Sequence, residues 1–219
     1  MYKGVIFDLD GTLLNSIDDL GNSVNRVLLN HGLEPHTMDK YQYFVGNGIR
    51  KLVERAFPDN YIHLDSAFEE FVIDYRDNCT VDSVLYPGVH DLLLKLNELG
   101  IKMAICTNKA QSLTDKIVEK MFLGYNFVEV IGDRFDDLNK PNPYYVYKIL
   151  DKMDLKKSEV LFVGDSDVDM KTSINAGLDG CGVSWGFRTV DELKHSGAKY
   201  IVDEALEILN IIQKGEWKD

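Results

Sequence analysis

The spacing of apolar positions changes twice along the chain. Gly4-Val5-Ile6-Phe7 is an uncharged run that ends in Asp8-Leu9-Asp10-Gly11-Thr12-Leu13. An apolar run bounded by a turn signal reads as a strand buried on both faces, as a parallel sheet requires. The period then lengthens, with Ile17, Leu20, Val24, Val27 and Leu28 on one helical face and His31-Gly32 as its stop. Ser16 and Asp19 have the spacing of a capping box, and Asp18 and Asp19 suit the helix dipole, so a helix is predicted to begin there. Ile49, Leu52, Val53, Ala56 and Phe57, stopped at Pro58, predict a second helix; Phe68, Phe71, Val72 and Tyr75 predict a third. No strand is predicted between Ser16 and about Asp82.

The pattern changes again at Tyr86-Pro87-Gly88. Leu92, Leu93, Leu96 and Leu99 follow Val89 at helical spacing, and Gly100 ends that helix. Strands are then predicted at Lys102 to Cys106, Val128 to Ile131, Val160 to Val163, Gly180 to Ser184 and Tyr200 to Val202. Helices are predicted at Gln111 to Lys120, Tyr144 to Met153 and Asp167 to Ala176. This alternation predicts an α/β fold, a Rossmann-like, mostly parallel sheet with helices on both faces. The first strand is cut off from the others by a helical stretch. The simplest arrangement has a core of residues 1–15 and 83–219 and an inserted all-helical domain of residues 16–82.

Composition narrows the partners. The chain has 219 residues with 24 basic and 36 acidic side chains, a net charge of −12. That balance disfavours nucleic acid or an anionic membrane surface as a partner. Apolar runs are short of a membrane span, and the N-terminus enters the first strand without a signal segment, so a cytoplasmic protein is expected. Cys79, Cys106 and Cys181 are widely spaced and read as small core residues. The five histidines have no ligand spacing.

The candidate chemistry lies at the predicted strand ends. In an ideal strand Asp8 and Asp10, two positions apart, would point to one face. Carboxylates that close need a hard cation or a shared proton. Met103 to Cys106 leads into Thr107-Asn108-Lys109, and Val160 to Val163 leads into Gly164-Asp165-Ser166-Asp167-Val168-Asp169. In a parallel sheet these groups converge with Asp8 and Asp10 at the carboxyl edge, where such folds bind ligands. Lys140 precedes Pro141, which disfavours helix and holds it in a loop. Asp8 and Asp165 together can supply acidic ligands for Mg²⁺.

The ordered series Asp8-Leu9-Asp10-Gly11-Thr12-Leu13, Thr107-Asn108, Lys140-Pro141 and Gly164 to Asp169 resembles the four motifs of the haloacid dehalogenase superfamily. The insertion after the first motif resembles that superfamily's type-one helical cap. Gly46-Asn47-Gly48-Ile49-Arg50, Thr107-Asn108-Lys109, Lys140-Pro141-Asn142-Pro143 and Trp185-Gly186-Phe187-Arg188 are similar to its phosphoglycolate phosphatase branch. The resemblance implies a Mg²⁺-dependent phosphomonoesterase acting on a small phosphate ester, with 2-phosphoglycolate the best single choice. It implies that Asp8 is the nucleophile of an aspartyl-phosphate mechanism and Asp10 the acid and base. Lys140 and Thr107 would stabilise phosphoryl charge, and Asn108 with backbone amides from Gly11 would complete the phosphate cradle. The metal would be held by Asp8, the Asp10 carbonyl and Asp165, with Asp169 a ligand through water or an orienting group.

Other residues read more plainly. Asp167 suits the helix dipole, Trp185 suits packing, and Lys109 reads either as a solvated first-turn lysine or as a substrate contact. Arg50 is a solvated helix residue or a cap group recognising a substrate carboxylate, and Arg188 is similar. A sugar-phosphate mutase or a nucleotide or pyrophosphate phosphatase of the same superfamily is the alternative enzyme. A phospho-aspartate signalling module is the alternative of another class, and it leaves Asp10 and the insertion unexplained. Neither oligomeric state nor regulation is legible in the sequence.

Overall fold

The uncharged run near the start forms β1 (Gly4–Phe7), and all of its residues are buried. In the computed structural model, which describes residues 1–45 and 48–214, two short strands follow, β2 (Leu14–Asn15) and β3 (Val84–Leu85). Five more complete the chain: β4 (Lys102–Ala110), β5 (Phe127–Asp133), β6 (Val160–Gly164), β7 (Asp179–Val183) and β8 (Tyr200–Val202). A six-stranded sheet has the order β5-β4-β1-β6-β7-β8, and every neighbouring pair in it is parallel. β1 is therefore central, between β4 and β6, and the chain order reverses around it. Such a reversal point is where an open α/β sheet has a crevice for ligands.

The helices are α1 (Ile17–Asn30), α2 (Met38–Phe44), α3 (Ile49–Ala56), α4 (Leu64–Asn78), α5 (Val89–Glu98), α6 (Gln111–Met121) and α7 (Tyr144–Met153). The last three are α8 (Asp167–Ala176), α9 (Val190–His195) and α10 (Glu207–Lys214). Alternate strand positions face opposite ways. Ile6, Ala104, Cys106 and Phe162 pack with Tyr145, Val146, Ile149 and Met153 of α7 in one core cluster. Val5, Phe7, Met103, Ile105, Leu161 and Val163 point the other way and are just as buried. Both faces of the sheet are thus covered, which explains why its strands lack the alternation of a half-exposed sheet.

The chain divides into two compact units, Met1–Leu14 with Leu85–Asp219 and Asn15–Val84. The first holds the six-stranded sheet. The second is built on α1, α2, α3 and α4, with Val24, Leu28, Tyr41, Leu52, Val53, Phe71 and Tyr75 in its core. The Phe71 and Tyr75 rings stack 5.4 Å apart at 9°. α2 went unpredicted because only Tyr41 of its residues is buried, so no apolar period marks it.

The capping box expected at α1 does not form. Ser16 occupies the cap position without a side-chain hydrogen bond to the helix. Asp19 instead accepts from Asp82 N at 2.8 Å, Ser83 N at 2.9 Å and Ser83 Oγ at 2.5 Å. Two backbone N–H groups and a hydroxyl outcompete the local cap, and the carboxylate is buried together with Ser83, which supplies two of these donors.

Candidate active site

β1 ends at Phe7, and Asp8 extends its ladder by one bond, donating from its N–H to Val163 O at 2.9 Å. The chain then folds back on itself. Leu9 O accepts from Leu13 N and Leu14 N, both at 2.9 Å, and Gly11 adopts φ +85°. Because the turn begins at Leu9, Asp8 and Asp10 do not share a strand face as an ideal strand would have them. Their carboxylates go to different lysines.

Asp8 Oδ1 lies 2.9 Å from Lys140 Nζ, and the same ammonium lies 2.5 Å from Asp169 Oδ1. Ligand oxygens of Asp8, Asp165 and Asp169 all fall within 4.8 Å of one another, and all three residues are buried. Lys140 is buried among them. Burial disfavours the charged forms: it raises the Asp8 carboxyl to about 6, with Lys140 opposing the shift and Asp169 adding to it. Burial, then the charges of Asp169 and Asp8, put the Asp165 carboxyl well above the usual range. Burial also works against a charged Lys140, but Asp169 and Asp8 outweigh it and hold the ammonium protonated beyond its ordinary range. Three acids against one ammonium leave an excess of two negative charges when ionised, which a divalent cation would offset. The donor set is all oxygen, as Mg²⁺ prefers.

Asp165 is wedged in place by two glycines. A Cβ at Gly11 would sit 2.3 Å from Asp165 Oδ2, and one at Gly186 would sit 2.2 Å from Asp165 Cβ. Only a bare backbone can approach so closely. Phe187 N donates to Asp165 Oδ2 at 2.8 Å, and Trp185 Nε1 donates to Thr12 O at 3.1 Å, so the loop after β7 closes over the turn after β1. Asp169 has its second oxygen engaged by Asp165 N, Ser166 N and Ser166 Oγ at 3.2, 3.0 and 2.6 Å. With Oδ1 on Lys140, its carboxylate is an anchor for the neighbouring loop and lysine. Asp167, outside this set, pairs with Lys171 at 2.6 Å, one helical turn on.

β4 runs past Cys106 and carries Thr107, Asn108 and Lys109 within it, with a register shift between Cys106 and Ala110. Irregular pairing of this kind re-aims successive side chains. Thr107 is buried, and its Oγ1 accepts from Lys109 N at 3.3 Å. Asn108 brackets the Lys140 loop: its Nδ2 donates to Lys140 O at 2.9 Å, and its Oδ1 accepts from Lys140 N at 2.8 Å. Lys109 is neither in a first helical turn nor solvated. Its side chain is 1% exposed, and Nζ donates to both oxygens of Asp10 at 2.9 Å. The Cys106 thiol, pushed up to about 12 by burial, is inert under this group. Cys79 and Cys181 are likewise buried.

The structure thus brings Asp8, Asp10, Gly11, Thr107, Asn108, Lys140, Asp165 and Asp169 to the carboxyl edge of one sheet. Arg50 belongs to the helical unit, where its guanidinium bonds Asp65 Oδ1 at 2.5 Å and Glu54 Oε1 at 3.3 Å and covers the Phe68 ring at 5.0 Å. Gly46 and Asn47 of the Gly46–Arg50 segment lie outside the described residues. Sequence reading missed the roles of Lys109, Gly186 and Phe187; the Trp185-Gly186-Phe187-Arg188 string was a signal, though one without an assigned task.

Residues 5–183 match the family described as haloacid dehalogenase-like hydrolase. The chain belongs to that family. It is 33% identical to a phosphoglycolate phosphatase of Aliivibrio fischeri over 96% of each chain. It is 34% identical to one of Agrobacterium fabrum, over 84% of this chain and 82% of that one. The crystal structure of a predicted phosphoglycolate phosphatase from Haemophilus somnus superposes with a TM-score of 0.86, at 29% identity, over 97% of this chain and 98% of that one. The expectations of this superfamily, of its phosphoglycolate-phosphatase-like branch and of a hydrolytic enzyme are borne out. Among the described residues no helix is long and apolar enough to cross a membrane.

Proposed function

We propose that this phosphomonoesterase hydrolyses a small phosphate ester, 2-phosphoglycolate first among them, through an aspartyl phosphate on Asp8. The observation that carries the reading is the separate placement of two carboxylates two residues apart. Asp8 sits in the buried acidic cluster with Lys140, whereas Asp10 is not in that cluster.

In the first step an oxygen of Asp8 bonds to phosphorus as the ester P–O bond breaks, and Asp10 delivers a proton to the departing oxygen. In the second step Asp10 takes a proton from the water that attacks the phosphoenzyme, which frees inorganic phosphate and regenerates Asp8. Lys140 and the Thr107 hydroxyl stabilise charge on the phosphoryl oxygens, with N–H groups of the turn at Gly11. Asn108, which grips Lys140 by both backbone groups, keeps that ammonium in place. A magnesium ion held by Asp8, Asp165 and the Asp10 carbonyl would neutralise the carboxylates and polarise the phosphate, with Asp169 orienting the group. The helical unit, residues 16–82 by the sequence boundaries, is the proposed cap, and Arg50 its proposed contact to a substrate carboxylate. The protein is taken to work in the cytoplasm.

The test is kcat/KM across 2-phosphoglycolate, sugar phosphates, nucleotides and pyrophosphate, with and without Mg²⁺. Multiple turnovers that need Mg²⁺ and favour 2-phosphoglycolate support the reading. A preference for nucleotides or pyrophosphate overturns the substrate, and release of one phosphate or less per chain overturns the enzyme in favour of a switch.

A further inference from the structure

Two buried lysines pair with three carboxylates at the carboxyl edge of the sheet, Lys140 with Asp8 and Asp169 and Lys109 with Asp10, and only Lys140 has a place in the reading above. The other, Lys109, has its side chain 1% exposed, against 21% for Asp10. An ammonium that loses its hydration is costly unless its charge and its donors are met. Lys109 meets this need at Asp10, with 2.9 Å to Oδ1 and 2.9 Å to Oδ2. One ammonium touching both oxygens fixes the carboxylate in direction as well as in rotation. Asp10 is only two residues from Asp8, yet its carboxylate is not in the group formed by Asp8, Asp165 and Asp169.

We propose that Lys109 is the positioning residue for Asp10, holding its carboxylate outside the acidic cluster so that it serves proton transfer and does not become a further ligand for a cation. The inference rests on the reading of Asp10 as the proton-transfer group. It gives the segment Thr107-Asn108-Lys109 a single task with two ends: Asn108 sets the Lys140 backbone, and Lys109 sets Asp10. A lysine that contacts substrate directly would bind tighter substrates and govern KM. A lysine that acts through Asp10 governs kcat, and has no effect once Asp10 has lost its carboxylate.

The experiment is a double-mutant cycle of Lys109→Met and Asp10→Asn in the full chain, assayed on 2-phosphoglycolate and on an aryl phosphate whose leaving group needs little protonation. Lys109→Met is expected to lower kcat on 2-phosphoglycolate about 10- to 100-fold, as loss of an orienting partner does, with KM within about 3-fold. In the Asp10→Asn background, read on the aryl phosphate, it is expected to cost less than about 2-fold, because groups that act as a unit are not additive. Mn²⁺ titration of the metal-free proteins supplies a readout apart from turnover. Lys109→Met should bind Mn²⁺ more tightly than the unaltered protein, and adding Asp10→Asn should abolish that gain.

Equal losses in both backgrounds, a raised KM with kcat retained, or unchanged Mn²⁺ affinity would each overturn the proposal. Near-native turnover in Asp10→Asn alone would instead overturn the reading of Asp10 on which it rests. Should Lys109→Met fail to melt cooperatively, Lys109→Gln, which keeps an N–H donor of shorter reach, must show the same dependence on Asp10.

Discussion

Lys140 Nζ lies 2.5 Å from Asp169 Oδ1, an ion pair that joins the loop before α7 to the start of α8 with neither side chain more than 3% exposed. The same ammonium reaches Asp8 at 2.9 Å. Removing it leaves three buried acids with no buried cation among them. Lys140→Met is therefore expected to destabilise the metal-free protein by about 3 kcal/mol at pH 7.5, the cost of breaking a buried pair from one side. Urea unfolding in chelator measures this, and a loss below about 1 kcal/mol would count against the account. Adding Mg²⁺ should recover part of the loss.

The raised Asp8 and Asp165 carboxyls give the metal-free protein a pH dependence of definite sign. Asp8 moves from 3.8 to about 6, and Asp165 moves in the same direction. An acid that holds its proton more tightly when folded favours the native state below its unfolded value and loses that contribution as pH rises through its folded value. In chelator, the melting temperature should therefore fall between pH 5 and pH 7.5, and most of the Asp8 share should be gone above about pH 6. Saturating Mg²⁺ should flatten the curve. A melting temperature that rises over the same window in chelator would show that the carboxylates are not strained by burial.

Gly186 passes Asp165 with no room for a side chain, a Cβ there meeting Asp165 Cβ at 2.2 Å. Gly186→Ala must push the loop or the carboxylate aside. The expected result is a fall in kcat/KM of about 10- to 100-fold together with weaker Mg²⁺ dependence, as displaced ligand support produces. A stability loss of about 1 to 3 kcal/mol should accompany it. Mg²⁺ titration of activity and thermal melting report the two effects separately.

Asp19 satisfies two backbone N–H groups and one hydroxyl at residues 82 and 83 while 1% exposed. Asp19→Ala removes the acceptor of all three and strands the two on buried Ser83, and it is expected to cost about 3 kcal/mol, since each buried donor left without a partner is expensive. Asp19→Asn, which keeps one acceptor oxygen, should cost less. Chemical denaturation orders the two variants, and equal stability of both would discount the network.

The catalytic assignments make a graded series. Asp8→Asn is expected to abolish turnover, and Asp10→Asn to lower kcat by about 100- to 10,000-fold, the range of general acid–base contributions. Arg50→Ala, on a guanidinium already paired with Asp65 and Glu54, should lose far less and chiefly through KM. Steady-state kinetics on one substrate separates the three. Near-normal activity in Asp8→Asn would sink the mechanism.

What the sequence determines by itself is local or periodic. The predicted helices Tyr144–Met153 and Asp167–Ala176 and the strand Tyr200–Val202 match the observed elements end to end, because burial of one face or of a whole strand imprints a spacing on the residues. Asp8, Thr107, Lys140 and Asp165 are legible because each follows an apolar run or sits by a proline, and parallel strands must deliver such ends to one edge. The tertiary structure alone decides which lysine meets which carboxylate. Asp10 and Lys109 are 99 positions apart, Asp19 and Ser83 are 64 apart, and Gly186 earns its place only from the nearness of Asp165. Lys109 has the composition of a solvated residue, and Asp19 has the spacing of a cap. The fold overrides both readings because a buried charge must take whatever partner packing brings within reach, and no spacing along the chain encodes that distance.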